Sequence, residues 1–419
     1  MSEAAAARGS RTDPALLAIV GEGLFSRLAF GVLSFALPLY ARSLGLSLAE
    51  VGVLMSINSA VAIGLKPVLG WTADRFGPRR TLVVAATLRS LVSLLLVFSS
   101  APWQLFAIRS LHGVSMALRD PAANVLLADR GGSKKVASAF AWYQTGKTVA
   151  GSTSKACAGI LMGLLGTRYP IIFLAGFALS ALPLLVVIRY VKEVPPAPRA
   201  PARAPAQDGE PARPEPGTGM RPVLAVAGLG VLVASSAEML AGLFPVLATE
   251  YAGLTKTQTG LVYAASTVVA VSAGPVFGWL SDNVSRKLVL GIRGAANTIS
   301  SLLYVVSPSF AGVGFARCAD DLGTAAFRPA WGALMSQVSH LDRSKRARVM
   351  SWLSMGEDAG GVLGPMLAGF LWNGWGVVAL MSTRVLLAAA SELYAFAVIR
   401  TTVPPPQPEP VRDPCALPC

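Results

Sequence analysis

Charge is scarce in this chain. Only 14% of its 419 residues are Asp, Glu, Lys or Arg, against roughly 25% in soluble domains. Histidine occurs twice, at His112 and His340. These two lie far apart and lack metal-ligand spacing, so neither a metal nor a cofactor is expected; His112 is read as a packing residue or a proton relay. Cysteine is equally sparse. Four of them make no disulfide framework. Cys157 and Cys318 fall in apolar runs, where Cys acts as a small hydrophobe. Cys415 and Cys419 lie on a short Pro-containing tail whose "CALPC" lacks the spacing of a prenylation box. A phosphate-binding P-loop is also missing, which argues against an ATP-driven pump. The chain is not expected to be an enzyme.

What is present is apolar sequence. Hydrophobic residues make up 53% of the chain and its mean hydropathy is +0.56. Runs of about 20 apolar residues recur along its length, each able to cross a hydrocarbon layer of about 30 Å as a helix. Lipid-exposed backbone must satisfy its own hydrogen bonds, so the expected class is an all-α, multi-pass membrane protein. The formal charge of +14 would suggest nucleic acid in a soluble protein. Here the basic residues sit mostly in loops on one side, and aromatics do not interleave with them as a stacking platform needs. No nucleic-acid partner is expected. The run from about Ala15 to Tyr40 is too long for a signal-peptide core and reads as a first helix that doubles as the targeting signal.

Twelve spans are predicted: 15–40, 48–70, 81–100, 103–128, 138–165 and 169–191, then 222–248, 257–280, 287–307, 309–338, 348–372 and 374–399. The domains follow: a six-helix bundle over 1–192, a Pro/Ala-rich linker over 193–220, a second bundle over 221–400 and a tail over 401–419. Short loops on one side collect Arg75, Arg79, Arg80, Arg130, Lys134, Lys135, Arg286, Lys287 and Arg343. By the positive-inside rule that side is cytoplasmic. Both termini then face the cytoplasm of a cell membrane. Trp103, Tyr169, Tyr251 and Trp375 fall at the outer ends of spans.

The two halves repeat. Gly45, Gly52, Pro67, Asp74, Arg109 and Pro121 match Gly253, Gly260, Pro275, Asp282, Arg317 and Pro329 at one offset of 208. After a two-residue slip, Trp142, Gly146, Gly151 and Gly159 match Trp352, Gly356, Gly361 and Gly369. An even number of spans per half makes these parallel repeats about an axis along the membrane normal.

The stretch "GWTADRFGPRR" at 70–80 carries the first family signal. Gly70, Asp74, Arg75, Gly77 and Arg79 resemble the loop 2–3 signature of the major facilitator superfamily; Thr72 and Pro78 depart from it, and Asp282 marks a degenerate second copy. The resemblance implies two bundles rocking about a central site, with this loop locking the cytoplasmic side. Asp74 would meet the positive end of span 11, while the arginines bind neighbours or anionic headgroups or only set topology. Arg109 in "RSLHG" resembles the helix 4 arginine associated with proton transfer in proton-coupled members; the alternative is an arginine tied to backbone carbonyls. "GVLGPMLAG" at 361–369 resembles the antiporter glycine-proline motif but falls on span 11 instead of span 5, where close helix approach is the simpler reading.

Charges inside the spans are the next signal, because each is expensive in hydrocarbon. The first half carries Arg27, Lys66, Arg89, Arg109, Arg119, Lys147 and Lys155 against Glu22 and Asp120. The second carries Glu238, Asp320, Asp321, Glu357, Asp358 and Glu392 against Arg293, Arg317, Arg328 and Arg384. Lys147, Thr148, Gly151, Ser152 and Lys155 share one side of span 5 and should line a cavity. Two uses are open. Lys66 with Glu357 or Asp358 pairs across the halves as an inner gate; or Lys147, Lys155 and Arg119 bind an anionic solute. For proton coupling the order is Glu238, then Asp320 or Asp321, then Glu22. The expected function is a secondary transporter working by alternating access, with proton-coupled export of a small organic solute. An importer or exchanger of an anion is the alternative, and a non-transporting assembly factor or receptor is the alternative of another class. Its partners would be a small-molecule substrate, the proton and membrane lipid, and it would act as a monomer.

Overall fold

The computed structural model describes residues 14–166, 168–191, 220–284, 286–340 and 346–402, and every regular element among them is helical. The helices are α1 Pro14–Ser43, α2 Leu48–Phe76, α3 Pro78–Val97, α4 Pro102–Leu165, α5 Tyr169–Tyr190, α6 Met220–Ala241, α7 Lys256–Asn283, α8 Arg286–Val306, α9 Phe310–His340 and α10 Arg346–Thr402. A helical turn at Phe244–Val246 and a π-turn at Leu247–Tyr251 extend α6. The linker and tail, and the cysteines at 415 and 419, lie outside the described residues apart from the helix ends at Met220 and Thr401–Thr402.

Ten helices give twelve crossings because α4 and α10 each hold two. In α10 the break is Gly376, at φ 84° and ψ −179°. In α4 the reversal follows from contacts. Arg119 binds Glu22 and Ser154 packs against Gly31. On a straight helix those two α4 residues would be about 52 Å apart, while their partners on α1 are separated by about 14 Å. The chain therefore doubles back between them. Among the described residues, eight helical stretches contain a window apolar enough to cross a membrane by composition, one of them covering both crossings of α10. The crossings that fall short, the first part of α4, α8 and α9, carry Arg109, Arg119, Asp120, Arg293, Arg317, Asp320 and Asp321. Their charge is paid for by pairing within the protein.

The repeat seen in the sequence is a repeat of geometry. Gly45 and Gly253 both take positive φ, 88° and 67°, at the ends of equivalent turns; Gly166 and Gly376 do so at 66° and 84°. Below, "inner" denotes the end of the bundle holding Arg75, Arg79 and Arg80, and "outer" the opposite end. Trp103 and Trp375 are exposed at the outer end, but Tyr169 is buried. It packs beside Tyr40 at 5.0 Å and under Lys256, because the outer turns of the two halves close over it.

Within the second half, glycines set the packing. A Cβ on Gly356, Gly360 or Gly364 would come under 3.0 Å from the carbonyl oxygens of Ala227, Val231 and Ser235 respectively. Both rows step by four residues in the same direction. The inner part of α10 and α6 thus lie parallel in backbone contact, as small residues allow in membranes. In the "GVLGPMLAG" region the close contacts belong to Gly364 on α6 and to Gly369 on α2, while Gly361 meets nothing within 4 Å among the described residues.

Candidate functional site

The site is the boundary between the halves. At its outer end four glycines seal it. Gly52 of α2 meets Gly369 of α10, and Gly159 of α4 meets Gly260 of α7. The repeat relates Gly52 to Gly260 and Gly159 to Gly369, so the two contacts are symmetry mates crossing the axis. Around them Gly163 touches Thr257, and Gly369 touches the carbonyl of Leu48. Arg42 closes the outermost layer. Its guanidinium donates to Glu250 at 2.9–3.1 Å, a residue 208 positions further on. These are equivalent positions of opposite sign, paired across the axis itself.

At the inner end no such backbone contact joins the halves among the described residues, and Gly64 of α2, Gly146 of α4, and Gly274 and Gly278 of α7 face nothing within 4 Å there. One long side chain bridges this level: Lys66 Nζ lies 2.6 Å from Asp358 Oδ2 and 3.8 Å from Asp120 Oδ2. The halves therefore enclose a hollow that is sealed at the outer end by backbone contact and bridged at the inner end, among the described residues, by this one side chain. Of the two acids named for Lys66, Asp358 makes the contact; Glu357 makes no ion pair among the described residues.

The hollow is lined by charge. Arg27, Glu238 and Arg328 are exposed though they sit within spans, and Arg27 lies within electrostatic reach of the other two across the interface. Lys155 is half-buried above the Tyr263 ring at 5.3 Å. Gly151 packs on the Arg27 stem. Lys147 feels Arg119, Asp120, Arg27 and Glu22. Arg317 caps the hollow: it stacks over Phe244 at 5.0 Å and Tyr263 at 5.1 Å and pairs with Asp321 at 3.0 Å.

Other charges are held within one half. Glu22 takes two bonds of 2.9 Å from Arg119 and one of 2.7 Å from Ser26. Asp320 is surrounded by Arg384 at 2.5 Å, Arg293 at 3.7 Å and Arg317 at 3.7 Å. Arg384 also donates to the Ser236 carbonyl and to the hydroxyls of Ser300 and Ser301. Buried guanidinium and carboxylate groups need this saturation. Arg109 donates to the carbonyls of Leu54 and Met55 and to Asn58; of its two readings, the geometry is that of the carbonyl-bound arginine. His112 stands edge-on to Phe30 at 5.3 Å.

Of the loop motif, Gly77 takes φ 90° as the cap of α3, a conformation that favours glycine. Arg75 lies over Phe76, and Arg79 donates to the Ile188 carbonyl at 3.1 Å, tying α3 to α5. Gly70 falls on α2, and the side chains of Asp74 and Asp282 lie outside the described residues. Two residues were missed by sequence reasoning. Arg384 reads as one more buried cation, and Arg42 is not singled out at all. The signal for Arg42 was available: an acid of opposite sign at its own repeat position.

The profile of the Major Facilitator Superfamily matches residues 23–229 and 226–416. The chain is 24% identical over 384 residues, 87% of its length and 91% of the relative's, to the multi-drug resistance efflux pump PmrA of Streptococcus pneumoniae serotype 4. It is 22% identical over 388 residues, 90% and 91%, to the multidrug resistance protein MdtG of Erwinia billingiae. Among solved structures it resembles a bacterial homolog of the human lysosomal transporter Spinster, in an inward-facing and occupied conformation (TM-score 0.77, 16% identity, 94% of this chain and 98% of that one). It also resembles the nucleoside transporter NupG (TM-score 0.69, 14% identity, 93% and 99%).

Proposed function

The chain belongs to the major facilitator superfamily, and on that premise we propose that this membrane transporter exports a small, drug-like organic solute in exchange for protons. Alternating access supplies the mechanism. Parting Lys66 from Asp358 admits solute to the hollow at the inner, cytoplasmic end; breaking the glycine seal and Arg42–Glu250 opens the outer end. The lock motif at Asp74 and Arg75 acts at the cytoplasmic surface, and Lys66–Asp358 acts as the inner gate. The efflux relatives support export, since both are named for drug resistance.

One observation carries the proton coupling. Among the acids considered, Asp320, Asp321 and Glu22 are held by arginines. Glu238 faces the hollow with no hydrogen bond or ion pair among the described residues. No guanidinium ties it down, and Arg27, within electrostatic reach across the interface, makes its charge matter to the opposite half. The test is transport of lipophilic dyes in proteoliposomes under an imposed pH gradient. Glu238→Gln is expected to abolish gradient-driven uphill transport while leaving solute exchange at zero gradient. Uphill transport at the wild-type rate in that variant overturns the coupling role.

A second reading rests on Arg27, Lys155 and Arg328, which make no ion pair among the described residues. They would suit an anionic solute. Flux of an organic anion that disappears in Lys155→Gln, with cationic dyes unaffected in the wild type, selects that reading instead.

A further inference from the structure

A second charged recess lies away from the hollow, in the wall that the second half turns to lipid. Leu229 and Val233 form its floor, Phe327 its back and Phe396 its exposed lip; Glu392 and Gly294 complete it. Glu392 lies 16 residues past the outer break at Gly376, about 24 Å along the helix, so it sits in the inner part of the hydrocarbon layer.

Three observations make this a built site and not a seam between helices. The carboxyl oxygen Oε1 of Glu392 is buried against Gly294 and meets no donor among the described residues, so its carboxylate reaches the recess unpaired. The nearest guanidinium on the lining, Arg293, is turned away, donating to Thr324 Oγ1 at 3.1 Å and to the Asp320 carbonyl at 3.3 Å. And Gly294 is a cradle: a Cβ there would fall on the Glu392 carboxyl group itself. The first half shows what an ordinary seam looks like. At the repeat positions of Gly294 and Glu392 it has buried Ala86 and lipid-facing Leu182. The second half has replaced a methyl and an isobutyl group with space and a carboxylate.

A carboxylate in hydrocarbon without a counter-ion is costly. An apolar recess with one unsatisfied acceptor selects a molecule that brings an ammonium on a hydrophobic body. We propose that this recess binds a lipophilic amine from the inner leaflet, its ammonium on Glu392 and its apolar part against Phe327 and Phe396. A neutral amphiphile leaves the acceptor unmet, and an anionic one meets repulsion. The ammonium can belong to a free alkylamine or to an amine-bearing lipid headgroup. This site stands apart from the hollow and does not rest on the transport reading.

The test uses the full-length protein in phosphatidylglycerol nanodiscs with tritiated dodecylamine as probe, read by scintillation proximity, and dodecanol as neutral control. Saturable dodecylamine binding is expected to weaken about tenfold or more in Glu392→Gln, the size of a lost charged hydrogen bond. Gly294→Ala should weaken it as well, and Glu392→Asp should restore part of it, with thermal unfolding showing that each variant is folded. Dodecanol binding should be equal in all. In a second arm, phosphatidylethanolamine replaces half the lipid. Competition with the probe identifies the headgroup as an occupant, and its absence identifies the free amine alone. Dodecylamine binding at wild-type strength in folded Glu392→Gln overturns the proposal, as does an equal loss of dodecanol binding.

Discussion

The ion pairs inside each half and those between the halves sit in different media. Arg119 and Glu22 keep 5% and 1% of their side-chain surface exposed, and Arg384 and Asp320 keep 0% and 7%. Lys66 and Asp358, which join the halves, keep 29% and 35%; Arg42 and Glu250 keep 31% and 37%. Removing one partner of a dry, saturated pair leaves a buried charge, at about 3–5 kcal/mol. A wet pair is worth about 0–1 kcal/mol. On the proposed cycle, the pairs within a half, which persist, are dry, and those between the halves, which must break, are wet. The glycine seal supplies the tighter outer contact by shape, without charge.

That contrast can be broken in order of size. Asp320→Ala strands Arg384 and should lower stability by about 3–5 kcal/mol in detergent unfolding; a loss below about 1 kcal/mol would erase the distinction between dry and wet pairs. Gly159→Leu drives a side chain into the backbone of Gly260 and should disfavour outer closure by about 1–3 kcal/mol. Spin-label distances between the outer ends of α4 and α7 should lengthen, while Gly64→Leu, facing open space, leaves them alone. Lys66→Glu sets like charges beside Asp120 and Asp358 and should slow transport severalfold, by about 1 kcal/mol. Adding Asp358→Lys should recover most of it. Arg42→Gln is the mildest, under about 1 kcal/mol, and in about 1 M salt variant and wild type should converge, since the Debye length falls to about 3 Å. A persistent difference in salt would mean that the outer pair is drier than its exposure indicates.

The fold was legible in the sequence because lipid enforces it. Apolar length and a repeat offset of 208, slipping once by two residues, sufficed for the spans and the parallel halves. Charge-rich spans such as 309–338 passed only because their neighbours framed them. The repeat glycines were visible too, but their partnership was not. Gly52 was matched to Gly260 in sequence, whereas in space it touches Gly369, because a two-fold axis carries each element onto its mate and leaves contact to the crossing pair. Lys66 had two acids to choose from, and only the helical phase of α10 against α2 selects Asp358.

The sequence by itself determined the class, the number of crossings and the internal duplication, since hydrocarbon admits few backbone solutions and each leaves a periodic trace. Tertiary structure alone decided which charges are dry, which are wet and which, like Glu238 and Glu392, have no ion-pair partner among the described residues. Partnership depends on distances between residues tens to hundreds of positions apart, and no local pattern of apolar and polar residues encodes those.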